Sequence, residues 1–252
     1  ILMHKEVGSE YNMGTFYSPP MIHNGLVFCT DFANDKSYPG TGSTLTDLVT
    51  KKTLTKQNTY TFTTTAPGLG YFAGAAGGRF TTANSGTLGI TLGTELSVCV
   101  WYKKTGDGAS STNQRLVELW RGDSTPSGGH CATILDSTGK QQFWMNHTGA
   151  SNSRFKTLTS TTTRSNNIWR YYTATYASPN VKLYMDGDLD ISSTGTTTDL
   201  DDIDNICIGA YAADNGNYHF DGSISIVQVY NRELSANEVR QNFNSQRNRF
   251  GV

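Results

Sequence analysis

Retaining glycoside hydrolysis needs two carboxyl groups about 5 Å apart on neighbouring positions of one sheet face. The chain has six glutamates, Glu6, Glu10, Glu95, Glu118, Glu233 and Glu238, and no two share a strand at short spacing. Glu118 stands alone in LVELW, and Glu238 belongs to a helix cap. There is no G-x-S-x-G elbow and no phosphate-binding loop, and His130, His147 and His219 do not fall at metal-ligand spacing on a helix. Gly68-x-Gly70-x-x-Ala73 imitates a dinucleotide fingerprint, but no helical pattern follows it. The sequence is therefore read as non-catalytic.

Ligand-binding chemistry is better represented. Asp186, Asp188 and Asp190 are spaced like the start of a calcium loop, yet no glycine or distal glutamate completes it. Asp186-Gly187 is also a pair that accepts the positive φ angles of a hairpin turn, so the cluster reads as turn residues facing water. DLDDIDN, from Asp199 to Asn205, is read the same way. Arg121-Gly122-Asp123 follows a strand and reads as a turn, while Asn146-His147-Thr148 is a glycosylation sequon that matters only in a secretory pathway. Two loops combine stacking rings with amides and carboxylates, the groups that sugars, with apolar faces and rim hydroxyls, require. The candidate ligand-binding residues there are Trp120, Arg121, Asp123, Tyr211, Asp214, Asn215, Tyr218 and His219.

Composition narrows the partners. Of 252 residues only 16% are charged, and the formal net charge is −1, with no Lys/Arg run to neutralise phosphates, so nucleic acid is not an expected partner. No apolar run approaches membrane-spanning length, and Ile1-Leu2-Met3 is too short for the hydrophobic region of a signal peptide. Cys29, Cys99, Cys131 and Cys207 are far apart in strand-like contexts, which favours scattered buried thiols over disulfides or zinc.

The elements that must position these residues are strands. Ile168–Tyr176 is aromatic and β-branched, Val181–Met185 alternates, and Pro179 and Asp186-Gly187 mark the turns, so two successive hairpins are written between Ile168 and Asp190. Gly25–Cys29, residues 53–65, Leu96–Lys103, Leu116–Trp120, Cys131–Leu135, Gln142–Asn146, Ile203–Gly209 and Gly222–Tyr230 supply further strands, without strand–helix alternation. One helix is announced: Ser235 as N-cap, Glu238 completing a capping box, Leu234 and Val239 as staple, and Val239 and Phe243 on the docking face. Residues 1–24 lack periodicity and read as an extended arm that packs on its own domain or on a neighbouring subunit, with Tyr11, Phe16, Tyr17 and Met21 as anchors.

Taken together, GLVFCTDFANDKSYPGTGSTLTDL, LSVCVWYK, the hairpins ending in KLYMDG, IGAY, and FDGSISIVQVYNRELSANEV followed by NRFG resemble the laminin-G-like branch of the concanavalin A-like lectin/glucanase superfamily. SYPGTGSTLTDL and NRFG are similar to stretches of domains found in bacteriophage virion and tail proteins. The resemblance implies an all-β, two-sheet antiparallel jelly roll over residues 25–252, with one short C-terminal helix after the arm. It further implies a virion or otherwise extracellular location, with other virion proteins or identical subunits held through residues 1–24. A glycan is the expected ligand, either for a phage component or for a secreted lectin module. Such domains often hold calcium through F-D-G-x-D-D and through an acidic pair in the final strand. This chain has Phe72-Ala73-Gly74-Ala75-Ala76-Gly77 and Ser225-Ile226 instead, so no cofactor is expected although Asp31 matches an acidic position. The family's catalytic glutamates, which share one strand, likewise have no counterpart.

Overall fold

A computed structural model describes residues 19–58, 60–66, 69–74, 78–82, 88–106, 113–121, 130–146, 154–194, 200, 202–211 and 218–252. In chain order the strands are β1 (Leu26–Asp31), β2 (Thr44–Thr46), β3 (Thr53–Gln57), β4 (Tyr60–Ala66), β5 (Leu69–Gly74), β6 (Arg79–Thr81), β7 (Glu95–Lys104) and β8 (Asn113–Trp120). They continue as β9 (His130–Asp136), β10 (Gln141–Asn146), β11 (Arg154–Thr159), β12 (Trp169–Ala177), β13 (Asn180–Met185), β14 (Asp188–Thr194), β15 (Asn205–Ile208) and β16 (Gly222–Tyr230). Helix α1 (Ala236–Gln246) and a 3₁₀ turn, Arg247–Arg249, close the chain.

The first sheet runs β14-β13-β12-β7-β16-β5-β4 with β1 also on β16, and the second runs β11-β10-β9-β8-β15-β6-β3-β2. Every pairing is antiparallel, as jelly-roll packing requires. The two expected hairpins are β12–β13 and β13–β14, and Asp186 and Gly187 between the latter take φ values of 52° and 87°. Side chains alternate between faces, so Leu96, Val98, Val100 and Tyr102 of β7 enter the shared core while Cys99 and Trp101 point the other way. Strands β2 and β11, at opposite ends of the second sheet, place Leu45 and Leu158 in the core but carry no strand signal in the sequence. Pairing to β3 and β10 holds them. All four cysteines are buried and free.

The outer face of the first sheet is finished by the C-terminus. Ser235 and Glu238 form the expected capping box, and Val239, Phe243 and Phe250 pack on Trp101, Trp169, Tyr171, Tyr184, Ile226 and Tyr230. Trp101 stacks on Phe250 with ring centroids 3.9 Å apart and donates its indole N–H to Gln246 Oε1 at 2.6 Å. Residues 19–24 lie against the same layer. Ile22 N donates to Asn242 Oδ1 at 2.8 Å, Tyr230 OH donates to Ile22 O at 3.0 Å, and the amides of Gln228 and Gln246 meet the Met21 sulfur. Tyr11, Phe16 and Tyr17 lie outside the described residues.

Candidate functional site

Strand β8 supplies the centre of the site. Its pairing with β9 slips between Arg115 and Val117, a bulge that sends both Leu116 and Val117 into the core. Beyond it, Leu119 points inward, so Glu118 and Trp120 lie on the outer face, and Arg115 shares that face with its partner Ile134. On β9 and β10 the outward set is Ala132, Ile134 and Trp144, a small apolar cluster separate from the core. Cys207 of β15 faces Glu118. Burial pushes the Cys207 thiol up, the Glu118 charge adds to this and the Arg79 charge opposes it, so an acid and a base flank that thiol.

The segment after β15 is clipped onto this bulge. Gly209 N donates to Leu116 O at 2.9 Å, Phe220 N donates to Gly209 O at 2.7 Å, and Arg115 N donates to Tyr218 O at 3.1 Å. Gly209 sits at φ 95°, and a Cβ there would meet the Phe72 ring at 3.0 Å, so backbone and packing both require glycine. Asp221 N donates to the side chain of Gln114 at 2.8 Å, fixing the far end.

These clips bring Tyr211 and Tyr218 together edge to face, with centroids 5.7 Å apart. The Arg115 guanidinium lies 4.5 Å from the Trp144 ring centroid, 5.3 Å from that of Tyr211 and 6.0 Å from that of Tyr218. Arg115 is only 6% exposed, yet its Nε and Nη1 have no hydrogen-bond acceptor. The two tyrosines are half-buried, so the rings connect this cation to the surface. Rings presenting apolar faces beside a donor-rich group can bind a sugar, stacking on its C–H face while bonding its oxygens.

The predicted residues divide on the structure. Tyr211 and Tyr218 meet, and Arg121 is exposed at the end of β8. Trp120 requires correction: it is the last residue of β8 with 0% exposure, so its ring offers no open face for stacking. His219 is buried too, because Phe220 and the β8 clips draw that segment inward. Asp123, Asp214 and Asn215 lie outside the described residues. Arg115 and Trp144 were not anticipated. A lone arginine preceding LVELW, and the outward parity of the tryptophan in QFWMN, were the available signals.

Of the three hairpin aspartates Asp188 is exposed at the turn as expected, whereas Asp186 and Asp190 are partly buried, and all three meet arginines. Asp186 binds Arg170 at 2.7 Å and Tyr171 N at 2.9 Å, Asp188 pairs with Arg240, and Asp190 binds Arg164 at 3.2 Å. Asp31 forms a bidentate pair with Arg249, both bonds 2.8 Å long. Ser225 donates to Gly70 O at 2.6 Å. Glu118 is paired across the ladders with Ala132 and Cys207, neither a carboxylate. Among the described residues no three His, Cys, Asp or Glu side chains gather as a metal site, and no helix is long and apolar enough to cross a membrane.

A family model described as the concanavalin A-like lectin/glucanases superfamily, laminin-G type, matches residues 74–240. No curated protein matches the sequence. Domain 4 of AbnA, an extracellular GH43 arabinanase from Geobacillus stearothermophilus solved in complex with arabinotriose, superposes with a TM-score of 0.63 at 14% identity, over 88% of this chain and 99% of that one. The Trypanosoma rangeli sialidase in complex with 2,3-difluoro-KDN gives a TM-score of 0.61 at 15% identity over 94% of this chain. The chain spans 37% of that sialidase's length.

Proposed function

The chain belongs to the concanavalin A-like lectin/glucanase superfamily, and from that premise we propose that it is a non-catalytic, extracellular glycan-binding domain. The observation that carries this reading is the ring cluster of Trp144, Tyr211 and Tyr218 around Arg115 on the outer face of the second sheet. The fold shared with the arabinotriose-bound arabinanase domain supports it. Glu118, without a carboxylate directly across either neighbouring strand, supports binding over hydrolysis. Binding proceeds without calcium, since Asp31 and the three hairpin aspartates are already engaged by arginines. A glycan array probed with the full chain in calcium and in EDTA tests this. The expected result is a defined sugar class bound equally in both, with Tyr211→Ala/Tyr218→Ala weakening it at least tenfold, the worth of one or two stacking contacts. Binding that vanishes in EDTA, or that ignores the double variant, would move the site elsewhere.

A finer reading is display on a virion. Residues 19–24 run over the helix layer, on the opposite side of the sandwich from the ring cluster, which suits a domain tethered by its N-terminal arm with its binding face outward. Removal of residues 1–18 should then abolish attachment to particle proteins or identical subunits while leaving sugar binding intact.

A further inference from the structure

A guanidinium is a cation with five N–H donors in a planar fork, and Arg115 places one beneath these rings. Burying such a group without acceptors is costly, and folded proteins rarely retain that arrangement without a use. The rings around it answer its charge through their π faces but accept no strong hydrogen bond. The carboxylate at the end of the adjacent strand is occupied: Asp136 accepts from Thr138 N, Thr138 Oγ1, Lys140 N and Gln142 Nε2. The indole N–H of Trp144 is likewise spent on Gln142 Oε1 at 2.8 Å. Five other arginines each meet a carboxylate: Arg164 with Asp190, Arg170 with Asp186, Arg232 with Glu238, Arg240 with Asp188 and Arg249 with Asp31. Arg115 has rings in that place.

We propose that Arg115 binds an acidic substituent of the saccharide, a carboxylate or a sulfate ester, while the half-buried Tyr211 and Tyr218 hold the sugar ring that carries it and the buried Trp144 backs the guanidinium. The inference rests on the glycan-binding reading of this face and names the ligand class within it. A guanidinium matches the geometry of either oxyanion, and a charge-assisted bond in a site sheltered from water is worth more than a neutral one. Because the ion pair forms only on binding, the acidic group is recognised by completing a half-built pair.

The test is a set of affinities for the intact chain with matched saccharides: a neutral oligosaccharide, its uronic- or sialic-acid counterpart and its sulfated counterpart, with polyglutamate as a non-sugar anion. The wild type is expected to prefer one acidic form over its neutral analogue by about ten- to a hundredfold. In Arg115→Gln that ratio should fall to near one, Arg115→Lys should keep part of it, and Arg240→Gln, on the helix face, should leave it unchanged. Which acidic counterpart wins identifies the oxyanion. Equal affinity for neutral and acidic sugars would overturn the inference while leaving the glycan-binding reading standing. Polyglutamate binding as tightly as the acidic sugar would overturn it as well, and failure of every saccharide would overturn both readings. Thermal melts of each variant separate lost folding from lost recognition, with Arg115→Lys as the variant that retains the packed stem and charge.

Discussion

The four tryptophans divide two and two between the outer faces of the sandwich. Trp101 and Trp169 lie under the C-terminal helix and Phe250, whereas Trp120 and Trp144 lie on the second sheet. Both Trp101 and Trp120 are wholly buried, yet Trp101 donates to Gln246 at 2.6 Å and the indole nitrogen of Trp120 has no acceptor. The arginines repeat the contrast: Arg249 grips Asp31 with two bonds, and Arg115 has none from Nε or Nη1. One face has been completed by the chain's own tail. On the other, Arg115 Nε and Nη1 and the Trp120 indole lack protein acceptors, and the proposed binding role of that face rests on these donors.

Substitutions should therefore cost stability on the first face and affinity on the second. The largest expected effect is Trp101→Ala, which removes the ring stacked on Phe250 and the partner of Gln246. It should lower the unfolding free energy by about 3–5 kcal/mol in a urea titration, and a loss under 1 kcal/mol would mean the helix layer is not structural. Next is Glu238. Its hydrogen-bonded pair with Arg232, with smaller help from the Ser235 backbone and hydroxyl, holds its carboxyl at about 2 against an ordinary 4.5. A depressed carboxylate stabilises the fold fully above its unfolded value, and that contribution fades as pH falls from about 4.5 toward 2. For this part-exposed pair the effect is about 1 kcal/mol, so Glu238→Gln should be less stable at pH 7 and indistinguishable from wild type near pH 2. Smallest is Tyr218→Ala, half-buried on the second face, expected to cost no more than about 1 kcal/mol of stability. A larger loss would make that ring part of the scaffold and erase the contrast.

Much of the fold was legible because it is local. LSVCVWYK, the two hairpins between Ile168 and Asp190 and the Ser235–Glu238 cap each carry their instructions within a few residues. What was not legible depends on distant pairs. Alternation in QRLVELW indicates that Glu118 and Trp120 share a face, but not that Trp120 is covered. The arginine partners of the three hairpin aspartates, Arg164, Arg170 and Arg240, were not legible because they lie 16 to 52 residues away along the chain. The site was half readable: Tyr211 and Tyr218 were visible as loop aromatics, while Arg115 and Trp144 join them only through the β8 bulge and the clips after Gly209.

The central claim, that the second face binds and the first does not, is tested most directly by the four indole N–H resonances during a titration with a saccharide selected on the array. The account predicts that the Trp120 and Trp144 signals move with the ligand while those of Trp101 and Trp169 stay in place. Movement confined to Trp101 and Trp169 would contradict it.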